Sequence, residues 1–130
     1  MHIAAHVDTI EHRIRPALVQ GEDVVMDRFW WSTLVYGIEQ GVPRSSLELM
    51  IELELSHWGD LQPDIVFLVT RAQPLLAEIS QTRFDMLTRE YLTLAARNTS
   101  TVLIDNNGSI PAALEVIAEH TFSSNLSPDR

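Results

Sequence analysis

The sequence predicts an α/β fold, a three-layer arrangement in which helices flank a mostly parallel sheet. Three observations lead there. Short apolar runs (Val24–Met26, Ile65–Val69, Thr101–Ile104) alternate with amphipathic stretches of helical period. The run Ile65-Val66-Phe67-Leu68-Val69 is apolar throughout, as a parallel strand covered on both faces requires. Each run then ends in polar residues, Asp27-Arg28, Thr70-Arg71 and Asp105-Asn106, and open α/β sheets bind ligands beyond the carboxyl ends of their strands.

The elements follow in order. Ile3, Ala4, Val7, Ile10, Ile14, Ala17 and Leu18 recur every three or four residues, predicting a helix over 3–18 whose last turn Pro16 loosens. Gln20–Asp23 is a turn, and Val24-Val25-Met26 a short strand that delivers Asp27 and Arg28 to its end. A helix from about Trp30 to Gln40 stops at Gly41-Val42-Pro43. Ser45 or Ser46 caps the next, with Glu48 as capping-box partner, and Gly59-Asp60 ends or bends it. After the Ile65 strand, Pro74–Arg97 reads as mostly helical, weaker over Ile79–Thr82. The third strand, from Thr101, leads through Asp105–Gly108 to Ser109, an N-cap for a helix running to about His120 with Pro111 early in it. Residues 1–121 read as one domain and 122–130 as a flexible tail.

Composition narrows the function. With 130 residues and 45% hydrophobic content the chain can build one sizeable core. There is no cysteine, which removes disulfides, thiolate nucleophiles and cysteine-based zinc sites and suits a cytoplasmic location. No apolar run approaches a membrane span, and the N-terminus has no signal-peptide core. A formal charge of −9 argues against nucleic acid as a partner, although local arginines can still hold phosphate.

The chemistry concentrates between Gly21 and Gly37. Arg28 offers a rigid donor fork suited to phosphate or carboxylate. Asp27 can orient that fork, hold a magnesium-bound water or accept from a substrate hydroxyl; the alternative is an Asp27–Arg28 ion pair that ties strand to helix. Tyr36 follows Ser32 by four residues and Thr33 follows Phe29 by four, so each pair shares a helical face. Ser32 or Thr33 can donate to a ligand and Tyr36 can pack on a sugar or base, while Trp30 and Trp31 read mainly as core, with room for one of the two to face the site. The five histidines are scattered, and the zincin, nucleophile-elbow, dinucleotide and phosphate-loop motifs are all absent.

In this order the segments resemble the thymidylate kinase family of P-loop nucleoside monophosphate kinases. TIEHRIRPALVQGEDVVMDRFWWSTLVYG, Thr9 to Gly37, is similar to the segment containing that family's Asp-Arg-aromatic motif. LQPDIVFLVT (Leu61–Thr70), TRFDMLTREYLTLAAR (Thr82–Arg97) and TVLIDNNGSI resemble its later strand, post-lid helix and final strand and loop. The resemblance implies phosphoryl transfer from ATP to dTMP with Mg2+. It implies that Arg28 binds the acceptor phosphate and Asp27 sits beside the transferring group and its magnesium shell. Ser32, Thr33 and Tyr36 would line the thymidine pocket, Arg83 would stand for a lid arginine, and the Asp105-Asn106 loop would lie near the donor base. It also implies a homodimer built through helices resembling Trp30–Gln40 and Ser46–Trp58.

The departures set further expectations. The family's arginine in the helix before the Asp-Arg motif aligns with His6, a poorer and pH-dependent phosphate ligand. A glutamine that commonly follows the pocket tyrosine is replaced by Gly37. No segment matches the family's phosphate loop and first strand, expected upstream of Met1. Donor phosphates need a nest of backbone N–H groups, a lysine and a magnesium-holding hydroxyl. The expectation is a chain that holds the acceptor half of the site and has little or no activity alone, the alternative being a non-catalytic homologue that binds a nucleotide or a protein.

Overall fold

A computed structural model describes residues 3–124; His2 and the end of the expected tail lie outside the described residues. The chain forms two compact units, Met1–Gln62 and Pro63–Arg130.

The first unit is helical. α1 (Ile3–Thr9) runs into a π-helical turn, Ile10–Ile14, and then α2 (Arg15–Val19). The widened turn precedes Pro16, whose ring would collide with the carbonyl four residues back in a regular α-helix. The loosening expected at the last turn is thus displaced upstream. It turns Ile10 and Ile14 inward, where with Trp58 they form the core against which Val24, Phe29, Leu55 and Leu61 pack. Each such aliphatic side chain contributes about 1.5–3 kcal/mol of burial.

α3 (Trp30–Glu39) and α4 (Arg44–Trp58) pack against each other, and α1 packs on α4. Gly41 and Gly59 take positive φ just past the two helix ends, as C-terminal caps require. Arg15 donates to the carbonyls of His57 and Trp58, placing a cation on the last carbonyls of α4. The capping box is not formed: Pro43 caps α4 two or three residues earlier than expected, its carbonyl accepting from Ser46 and Leu47. Glu48 instead pairs with Arg44 at 3.2 Å.

The expected strand at Val24–Met26 is also absent. The segment is irregular, and Val25 is 96% exposed. Three residues of β-favouring character make a strand only when a neighbour pairs with them. Asp27 and Arg28 therefore end a loop, not a strand.

The second unit holds a parallel pair, β1 (Val66–Thr70) and β2 (Thr101–Asp105), in register Val66↔Thr101 through Thr70↔Asp105. α5 (Gln81–Ala95) forms the crossover that parallel strands need and packs on β1, and α6 (Ile110–Ser124) packs on β2. The α/β class holds, with a sheet of two strands among the described residues where three were expected. Pro74–Ser80 forms turns instead of helix. α5 starts where Ser80 accepts from the Arg83 backbone N–H, so the cap selects the later start. Ser109 caps α6 as expected, accepting from Ala112 N–H, and α6 continues past His120 to Ser124.

Candidate functional site

The candidate site lies in the first unit and is assembled from the loop before α3, the inner face of α3, and α1 and α4. Val24 and Phe29 anchor the loop on the core, and Phe29 meets Trp58 edge-on with ring centroids 5.4 Å apart. Between those anchors Arg28 takes φ 75°, the one positive φ outside glycine among the described residues. A side chain in this region is costly and is seen mainly where surrounding contacts enforce it. The effect is to turn the Arg28 guanidinium over the Tyr36 ring, 5.2 Å from its centroid.

A cavity of ≈650 Å³ opens beneath this pair, a size suited to a small organic ligand. His6, Asp27, Arg28, Ser32, Thr33 and Tyr36 all line it. Every acceptor-site residue expected from the sequence thus reaches one space. Asp27 and Arg28 are exposed at its edge, Ser32 and Tyr36 are half-buried, and Thr33 is buried. No ion pair joins Asp27 to Arg28 among the described residues, so the strand-to-helix tie does not exist. Trp31 is buried and Trp30 half-buried; neither lines the cavity.

Sequence reasoning missed Glu54. Hydropathy favours Leu53 as core, yet Leu53 is 53% exposed and Glu54 only 2%. The inward stripe of α4 is Leu47, Ile51, Glu54 and Trp58, and the helical spacing of Glu54 from those three was the available signal. Glu54 lines the cavity and meets His6, Nδ1 to Oε2, at 3.2 Å. Gly37 lines it too, and a Cβ there would run into a methyl group of the fully buried Leu47. Its lack of a side chain is what lets α3 approach α4.

In the second unit, Asp105 pairs in register with Thr70 at the carboxyl ends of β1 and β2. Its carboxylate accepts from the backbone and side-chain N–H groups of Asn107, and Asn106 N–H donates to the Thr70 carbonyl at 2.8 Å. Both residues thus shape the loop after β2. Arg83 is exposed in the first turn of α5. It does not line this unit's ≈670 Å³ groove, where the arginines are Arg71, Arg89 and Arg97.

Comparison with known proteins decides the family. The family model for thymidylate kinase matches residues 1–117. The chain belongs to the thymidylate kinase family. It is similar to a thymidylate kinase of Dinoroseobacter shibae, 34% identical over 93% of this chain and 65% of that protein. A thymidylate kinase of Chlorobium chlorochromatii is 40% identical over 49% of the chain and 28% of its own length. One of Neisseria meningitidis serogroup B is 39% identical over 64% and 40%. The chain therefore spans less than two thirds of the length of each of these relatives.

Thymidylate kinase membership implies ATP and Mg2+, and the described residues fit them poorly. Gly21, Gly41 and Gly59, the glycines with positive φ, each follow the end of a helix, whereas a phosphate nest lies before a helix N-terminus. The sequence contains no lysine to reach a triphosphate. No cluster of three histidines or carboxylates stands ready for a metal among the described residues, leaving Asp27 as a single exposed carboxylate. No described helix is long and apolar enough to cross a membrane.

Proposed function

We propose that the cavity of the first unit binds dTMP, the phosphoryl acceptor, with its phosphate on Arg28 and its thymidine along Thr33 and Tyr36. The convergence of His6, Asp27, Arg28, Ser32, Thr33 and Tyr36 on one cavity carries this reading. Arg28 supplies the cation for the phosphate, Tyr36 an apolar face for the sugar or base, and Ser32 and Thr33 hydroxyls for polar ligand atoms. Asp27, exposed at the edge of the cavity, leaves a carboxylate beside the phosphate-binding Arg28. Alone, the chain is a thymidylate kinase-like acceptor site with little or no phosphoryl transfer. Calorimetric titration with dTMP tests this: saturable binding weakened by Arg28→Ala is expected, and equal affinity in both proteins sinks the assignment.

The same reading includes a homodimer through α3 and α4. Leu49 and Leu53, one turn apart on α4, are 68% and 53% exposed, which supports an apolar contact there. Leu53→Glu is expected to convert a dimer to a monomer in sedimentation velocity; a wild-type monomer at high concentration contradicts the contact.

A further inference from the structure

Glu54 sits where the inward stripe of α4 otherwise carries apolar residues, and it is 2% exposed. Among the described residues its hydrogen-bond partner is His6 alone. A carboxylate withdrawn from water needs several donors, because each unmet lone pair carries a desolvation cost. Water can serve while the cavity is open, but a ligand that fills it must bring a donor.

His6 brings Glu54 one ring nitrogen, Nδ1 at 3.2 Å, and so at most one donor. Trp58, one turn along α4, presents the complementary problem. Its indole N–H is buried without an acceptor among the described residues, and Trp58 lines the same cavity. Gly37 brings no side chain to meet either group, and Leu47 leaves no room for one.

We propose that Glu54, supported by His6, and Trp58 read the nucleobase. Glu54 accepts a ring N–H, and the indole N–H of Trp58 donates to the adjoining carbonyl. The edge that fits is an imide or lactam, an N–H beside a C=O, which thymine presents at N3. This rests on the acceptor-site reading above and adds the groups that select the base.

The test compares dTMP with its N3-methyl derivative, which keeps the phosphate, sugar and carbonyls and loses the donor. Calorimetry on wild type is expected to give about a tenfold to hundredfold preference for dTMP, the range for a hydrogen bond to a charged group. In Glu54→Leu the preference should fall to about twofold or less, because the acceptor is gone. That variant should fold, since replacing an underpaired buried carboxylate by an apolar side chain is often stabilising; Glu54→Met serves if it does not. Glu54→Gln keeps an acceptor oxygen and should retain most of the preference. Trp58→Phe should weaken dTMP severalfold while the protein stays folded by circular dichroism. An undiminished preference in Glu54→Leu overturns the Glu54 role, and unchanged dTMP affinity in Trp58→Phe overturns that of the indole. Absence of dTMP binding to wild type would instead overturn the acceptor-site reading itself.

Discussion

The Arg28 guanidinium carbon stands 5.2 Å from the centroid of the Tyr36 ring, reached from a backbone held at φ 75°. The two facts belong together, because an ordinary φ would aim the same side chain elsewhere. A left-handed non-glycine residue costs about 1–2 kcal/mol, and an exposed cation–π contact returns about 0.5–1 kcal/mol. The strain is at least as large as what the visible contact gives back.

Arg28→Gly should therefore raise stability by up to about 1 kcal/mol while weakening dTMP binding. Thermal unfolding and calorimetry on the same samples measure both. A loss of stability would show that the aromatic contact, not a ligand, justifies the conformation.

Gly37→Ala should destabilise the first unit by about 1–3 kcal/mol, because its methyl group must displace the buried Leu47 side chain. Gly108→Ala is the control, since a Cβ there meets nothing within 4 Å. Denaturant unfolding that shows equal stability for the two variants would refute the close approach of α3 and α4.

Ile104 and Leu103 are neighbours on β2, 1% and 55% exposed respectively. Ile104→Ala should cost about 2–5 kcal/mol and Leu103→Ala much less, since successive strand residues point to opposite faces. Similar losses in denaturant unfolding would mean that both faces of the sheet are covered.

The chain incubated with ATP, Mg2+ and dTMP should form dTDP at no more than a trace rate. Chromatographic detection of dTDP checks this. Robust turnover would mean that Arg71, Arg89, Arg97 or other residues of the second unit build a donor site without a lysine-bearing loop.

The parts legible in the sequence were those settled locally. β1 and β2 carry the apolar runs Val66–Val69 and Val102–Ile104, and Gly41, Gly59 and Ser109 mark helix boundaries by their own backbone or side-chain chemistry. Asp27, Arg28, Ser32, Thr33 and Tyr36 were legible together as one cavity lining because they lie on one loop and one face of α3, whereas His6 reaches the same cavity from α1. Val24–Met26 was misread because strand formation depends on a pairing partner that local composition does not reveal. Glu54 was missed for the opposite reason: its hydropathy points outward, and only the packing of α1 against α4, with His6 facing it, turns it inward.

The acceptor-phosphate role of Arg28 is tested most directly by a four-point calorimetric cycle, dTMP and thymidine against wild type and Arg28→Ala. The account predicts that the phosphate strengthens wild-type binding by about tenfold or more and adds almost nothing in the variant. An undiminished phosphate contribution in Arg28→Ala would contradict it.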